Sequence, residues 1–161
     1  MKTKLLDGKR VLIVDDEPDV LQSLSELLFM CEVTVASTYA GGKELLEKEQ
    51  FDIAVLDIMG VDGYKLLEIA KEKGLLAVML TAHAISPSNI VKSFKGGATS
   101  YFPKDEISNI PEYLEEIFQA KGKKRQFRSR WLARWRKYYD KKFGPDWQKE
   151  DEDFWRKFFW F

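Results

Sequence analysis

The stretch FDIAVLDIMGVDG, residues 51–63, constrains this chain most. Its four apolar residues, 53–56, stand between Asp52 and Asp57. That is too short a run for a helix, and it predicts a buried strand. The strand carries the carboxylate of Asp57 to its C-terminal end, where a glycine-containing loop leads into a helix. In an open parallel α/β sheet the ligand crevice lies outside the carboxyl ends of the strands. A carboxylate delivered there is a functional candidate.

The flanking segments repeat the same unit. Residues 10–14 (RVLIV) read as a central strand ending in Asp15-Asp16-Glu17-Pro18, with Pro18 suited to the first turn of a helix. That helix spans about residues 19–30 and carries Leu21, Leu24, Leu27 and Leu28 at helical spacing. Residues 32–36 predict a second strand and residues 40–48 a helix with Leu45 and Leu46 inward. After the opening stretch, a helix over 63–73 turns Leu66, Leu67, Ile69 and Ala70 to one side and stops at Gly74. Residues 77–80 form a fourth strand ending in Thr81, and Ser86-Pro87 open a helix closed by Gly96-Gly97. Residues 99–102 form a fifth strand before Pro103-Lys104. Ser108 then caps a helix to about Ala120 that uses Ile110, Leu114, Ile117 and Phe118.

Strands alternating with helices imply a parallel, doubly wound α/β sheet. Right-handed crossovers bring all the strand ends to one rim. What falls on that rim is Asp15, Asp16, Asp57, Thr81 and Lys104. Converging carboxylates repel one another unless a cation sits among them, and hard oxygen ligands suit Mg²⁺. A hydroxyl and an ammonium beside them complete a site for a tetrahedral anion attached to one carboxylate.

Residues 9–121 resemble the receiver (CheY-like) domain of bacterial two-component response regulators. VLIVDDEP, VLDIMGVDG, VMLTAH and GATSYFPK match its motifs in order, each at a predicted strand end. The resemblance implies a flavodoxin-like five-stranded sheet of order 2-1-3-4-5. It implies that Asp57 accepts a phosphoryl group from a sensor histidine kinase. Asp15, Asp16, Asp57 and the Met59 carbonyl would bind Mg²⁺, Lys104 would contact the phosphoryl group, and Thr81 and Tyr101 would form a switch pair. Two departures from the family pattern stand out. The loop Gly60-Val61-Asp62-Gly63 is shorter and lacks the family's proline, and Pro103 precedes Lys104 instead of following it. His83, the single histidine, lies two residues past Thr81. It is either a neighbour of the attacking water or a solvated loop residue. A hydrolase with Asp57 as nucleophile would need a general acid/base and a substrate pocket, and the sequence offers neither, so no separate enzyme activity is expected beyond phosphotransfer and autodephosphorylation.

Composition fits a soluble chain: of 161 residues, 45% are hydrophobic and 32% charged, with net charge zero. Cys31 is the only cysteine, expected as a small buried hydrophobe, and a reducing cytoplasm follows. Asp7, Lys9 and Arg10 interrupt the N-terminus too early for a signal peptide, and no run is long enough to span a membrane.

Character changes at Gly122. All five tryptophans, Trp131, Trp135, Trp147, Trp155 and Trp160, lie beyond it, so the chain divides into a receiver, residues 1–121, and a helical tail, residues 122–161. Residues 121–142 are strongly basic, with Asp140 the only acid. Phe127, Trp131, Leu132, Trp135, Tyr138 and Tyr139 fall on one helical face, with Arg128, Arg130, Arg134, Arg136 and Lys137 mostly elsewhere. Gly144-Pro145 ends that helix. Asp146 is suited to cap a second, acidic one bearing Phe154, Trp155, Phe158, Phe159 and Phe161, so a helical hairpin is expected. Docking of its aromatic faces onto a protein partner or a second copy is the favoured use. Packing on the chain's own receiver and binding at a membrane surface are weaker readings. Nucleic acid is disfavoured by the acidic second helix. The functional expectation is a phosphorylation-dependent receiver that switches a protein-interaction surface. The alternative is a phosphate sink or relay intermediate without its own output.

Overall fold

The computed structural model describes residues 5–82 and 86–160; His83 and Phe161 lie outside them. Strands β1 (Arg10–Val14), β2 (Glu32–Ala36), β3 (Ile53–Asp57), β4 (Leu76–Thr81) and β5 (Ser100–Pro103) form one sheet of order β2-β1-β3-β4-β5. All four pairings are parallel. The central strand β3 is buried along its whole length, which is why its sequence is a continuous apolar run and not an alternation. Register pairs Asp57 with Leu80 and Thr81 with Pro103, so neighbouring strands end together at one rim.

Helices α1 (Pro18–Leu27), α2 (Tyr39–Lys48), α3 (Gly63–Glu72), α4 (Pro87–Lys95) and α5 (Ile110–Ala120) alternate with the strands. Pro18 and Pro87 each stand in the first turn of their helix, where the missing N–H is not needed. Thr38 caps α2 by accepting from the Gly41 N–H. One boundary differs from expectation. Ser108 does not cap α5; residues Lys104–Asn109 form a 3₁₀ turn, and the helix starts at Ile110 with Pro111 in its first turn. Proline fixes the backbone there, and the start falls one residue later than a Ser108 cap would set it. Phe102–Pro103 is a trans peptide, as are all peptides among the described residues. Cys31 is half-buried, not fully inside, with its thiol 3.4 Å from the Leu6 carbonyl.

Beyond α5 the chain turns through two consecutive left-handed residues, Lys121 (φ 48°) and Gly122 (φ 82°), into the long helix α6 (Lys124–Phe143). Gly144 at φ 92° ends it, and a 3₁₀ turn (Trp147–Asp151) leads to the short helix α7 (Glu152–Lys157). The cap of α7 is Asp151, which accepts from the Phe154 N–H; the Asp146 side chain caps nothing. The intervening 3₁₀ turn displaces the α-helical start by five residues.

Most of the tail's aromatic surface is taken up inside the chain and not left for a partner, with Trp160, 68% exposed, the exception. Trp131, Trp135, Tyr139, Trp147, Phe154 and Phe158 are buried in the same core as the sheet and its helices. Trp131 sits edge-on to Phe94 of α4 (4.9 Å), and Trp135 packs on Phe102 (6.0 Å) and Tyr113 (5.5 Å) of β5 and α5. Charge pairing between the tail helices is not what joins them, for among the described residues no ion pair links α6 to α7. Asp153 pairs within its own helix, and Asp151 pairs with Lys95 of α4. Arg128, expected on the outer face, is instead buried at 4% exposure. Its Nη1 donates to the Phe158 carbonyl (2.6 Å) and its guanidinium lies over the Phe94 and Phe158 rings. Burial pulls its pKa down to about 10.

Candidate functional site

Two of the rim acids, Asp15 and Asp57, converge on the Lys104 ammonium. Asp15 follows β1, Asp57 is the last residue of β3, Thr81 the last of β4, and Lys104 the first residue after β5. Lys104 Nζ lies 2.9 Å from Asp15 Oδ2, 3.1 Å from Asp57 Oδ1 and 2.6 Å from Glu17 Oε1. Asp15 is fully buried and Asp57 is 3% exposed. Asp15 Oδ1 accepts from the Glu17 backbone N–H at 2.9 Å, which fixes its rotamer and leaves Oδ2 turned to Lys104. Glu17, directly after the acidic pair, is a third holder of Lys104 that sequence spacing does not assign.

This geometry sets the electrostatics. Burial, and then the charge of Asp15, push the Asp57 carboxyl up to about 6, against the opposing pull of Lys104. Asp15 is raised mainly by burial as well. Burial works against the Lys104 ammonium, but hydrogen bonds to Glu17 and Asp15 and the charges of Asp57 and Asp15 raise it above its ordinary value. The site thus holds more acid than its single lysine neutralises, a deficit of positive charge.

The donor set fits a hard divalent cation. Asp15, Asp16 and Glu17 each present a carboxylate oxygen within 4.8 Å of the others, and Asp57 stands across Lys104 from Asp15. All are oxygen ligands, the kind Mg²⁺ prefers. Asp16 and Glu17 are exposed, leaving an approach from solvent. Met59 lies in the following loop and is 68% exposed.

The shortened loop is accommodated by backbone. Gly60 takes φ 79° and Asp62 takes φ 54°, and the Gly63 N–H closes the turn on the Ile58 carbonyl (3.1 Å). A side chain at Gly60 would collide with the Asp16 carboxylate, and one at Gly63 with the Asp57 carbonyl. Both glycines let the chain pass close to the acids.

Thr81 ends β4, the strand next to that of Asp57, and Tyr101 lies one strand further out in β5. Thr81 is 3% exposed, and its hydroxyl donates to its neighbour, the Ala82 carbonyl, at 3.0 Å. Tyr101 is fully buried; its hydroxyl faces Thr81 yet makes no well-formed hydrogen bond. The tail closes over it, with Trp131 Nε1 donating to the Tyr101 carbonyl (3.0 Å) and the Tyr139 ring 6.2 Å from the Tyr101 ring. Tyr138 adds a hydrogen bond to Asp105, in the 3₁₀ turn opened by Lys104.

Comparison with known proteins gives a consistent result. The response regulator receiver domain family matches residues 11–115. A two-component response regulator of Arabidopsis thaliana is 39% identical over 113 residues, covering 64% of this chain and 18% of the relative. A CheY-like response regulator receiver domain protein from Methanospirillum hungatei is 32% identical with TM-score 0.59, covering 70% of this chain and 98% of that one. The response regulator DrrB of Thermotoga maritima is 26% identical with TM-score 0.62, covering 71% of this chain and 54% of that one. The expected restriction to bacterial regulators is not supported, since the curated relatives named here and in rice are plant proteins. The family match stops before α6, and the chain spans about a fifth of those plant relatives.

Proposed function

The chain belongs to the response regulator receiver family, and we propose that Asp57 is its phosphoacceptor and the packed tail its output. Receivers of this family are phosphorylated by histidine kinases and bind Mg²⁺ at an acidic pocket. In the reaction proposed here, an Asp57 carboxylate oxygen forms a bond to phosphorus as the phosphorus–nitrogen bond of a kinase phosphohistidine breaks. The electron pair of that bond leaves with the imidazole. With its carboxyl at about 6, Asp57 is mostly ionised at neutral pH and ready as nucleophile. Asp15, Asp16 and the Met59 carbonyl would join Asp57 in holding Mg²⁺, whose charge offsets that of the transferring phosphoryl oxygens. Lys104, already 3.1 Å from Asp57, swings from Glu17 to a phosphoryl oxygen. Loss of the phosphoryl group to water returns the site to this state, and no separate substrate is involved.

The observation that carries the output reading is the seat of the tail on Tyr101. Thr81 spends its hydroxyl on its neighbour's carbonyl, and Tyr101 has a buried hydroxyl with little to bond. A phosphoryl group on Asp57 offers Thr81 a stronger, charged acceptor. Moving Thr81 changes the surroundings of Tyr101, and Tyr101 cannot shift without disturbing Trp131 and Tyr139. Phosphorylation therefore alters how α6 and α7 are held and what the tail presents to a protein partner or a second copy. A sink or relay role without output is not favoured. A cytoplasmic setting belongs to the same reading; among the described residues no helix is long and apolar enough to cross a membrane.

The test is trypsin cleavage of the tail, which is rich in Lys and Arg, with and without acetyl phosphate and Mg²⁺. The expected result is a changed cleavage rate within residues 121–142 in the wild type and none in Asp57→Ala. Equal rates in all four samples would remove the coupling.

A further inference from the structure

The cleft where the tail leaves the receiver is unused by the phosphoacceptor site. It has a volume of about 510 Å³, within the roughly 300–1,000 Å³ of small-molecule sites. Leu76, at the start of β4, and Thr99, just before β5, both line it, so it lies at the opposite end of the sheet from Asp57. Phe94 of α4, Ala98, Ile117 and Phe118 of α5, and Phe127 of α6 form its apolar wall.

Its polar character is of one sign. Lys71, Lys95, Lys121, Lys123, Lys124 and Arg128 line the cleft, and no acidic residue does. Lys95 is paired with Asp151 at 3.5 Å and Arg128 is engaged by Phe158, but Lys71, Lys121, Lys123 and Lys124 form no ion pair among the described residues. Two local features gather them. The Lys71 stem crosses Gly97, where a Cβ would come within 2.8 Å of Lys71 Cδ. The left-handed pair Lys121-Gly122 folds α6 back over α5 and brings Lys123 and Lys124 to the same opening.

These four lysines are solvated at the surface, but gathered round one opening with no acid among the lining residues they give it a positive potential. Like charges around a low-dielectric wall reinforce one another's potential and attract a counter-ion. Apolar surface gains from being covered. One class of molecule satisfies both at once. We propose that this cleft binds a small amphipathic anion, with a carboxylate or phosphate head among the lysines and an apolar body over Leu76, Phe118 and the lysine stems, on a floor made by Phe94, Ile117 and Phe127. Such a ligand touches both α5 and α6, so it braces the tail on the receiver and gives the chain a second input independent of Asp57.

The test uses the full chain, isotope-labelled and titrated with decanoate, decyl phosphate and 1-decanol while backbone amide shifts are followed. Both anions are expected to saturate a single site, with shifts centred on Ala98, Ile117, Gly122 and Phe127, and the tighter of the two identifies the head group. Decanol should bind at least about tenfold more weakly, the equivalent of about 1.4 kcal/mol. The double variant Lys123→Glu, Lys124→Glu should lose at least about tenfold in anion affinity. Its substitutions are exposed and place acids at the start of α6, where the helix dipole favours them, so the fold is kept. Asp57→Ala should bind as the wild type does, separating this site from the phosphoacceptor reading. Equal affinity for decanol, an unaffected lysine variant, shifts centred elsewhere, or no saturation below about 1 mM would each overturn the proposal.

Discussion

Replacing Asp57 with Asn should stabilise the protein in the absence of divalent cations. Asp57 is 3% exposed and stands with Asp15 around a single lysine, and burial and that neighbour push its carboxyl from an ordinary 3.8 to about 6. Between those values the folded chain holds a proton that the unfolded chain has released. Stability from this group is therefore highest below pH 4 and declines as pH rises to about 6. At about 1.4 kcal/mol per pH unit of separation, the decline is roughly 3 kcal/mol. Asparagine removes that penalty but weakens one of the three contacts of Lys104, which keeps Asp15 and Glu17. The net gain at pH 7 should be about 1–2 kcal/mol, or roughly 2–8 °C in melting temperature for a chain of this size. Urea unfolding in the presence of a chelator, at pH 7 and again near pH 4, measures it. The two proteins should differ at pH 7 and converge at the lower pH. A variant that is no more stable at pH 7, or a gap that does not close on acidification, would refute the description of Asp57 as an acid held under electrostatic strain.

Three further substitutions probe the rest of the site. Lys104→Ala leaves Asp15 and Asp57 facing each other without a buried cation, and unfolding should show a loss of about 3–5 kcal/mol at pH 7. Added Mg²⁺ should recover more stability in that variant than in the wild type. Gly63→Ala drives a Cβ into the Asp57 carbonyl and should cost about 1–3 kcal/mol, with weakened Mg²⁺ binding read by calorimetry. Trp131→Ala removes a 2%-exposed ring and the donor to the Tyr101 carbonyl; unfolding should show a loss of about 3–5 kcal/mol, and trypsin should cut the tail faster.

The sheet was legible in the sequence because its inner strands are buried on both faces and read as unbroken apolar runs between Asp, Gly and Pro. Their parallel order then brings Asp15, Asp57, Thr81 and Lys104 together, since consecutive strands in register end at one rim. Contacts made between the strand ends were not legible. Nothing in the spacing of Glu17 shows that it closes on Lys104, 87 residues away. Gly60 and Gly63 read as loop breakers, and only their closeness to Asp16 and Asp57 shows what a side chain there would meet. The tail shows the limit most clearly. Helical periodicity says that Trp131 and Trp135 face something apolar, but not whether it is a partner or Phe94 and Phe102 of the same chain. It also misplaced Arg128, whose guanidinium is accommodated inside by a carbonyl and two rings, contacts no wheel diagram can anticipate.

The central claim, that Asp57 accepts a phosphoryl group, is tested most directly by the intact mass of the wild type and Asp57→Ala after incubation with acetyl phosphate and Mg²⁺. The account predicts one phosphoryl adduct on the wild type, lost when Mg²⁺ is chelated beforehand, and none on the variant. An adduct on both proteins, or none on either with this donor and with a phosphorylated histidine kinase, would contradict it.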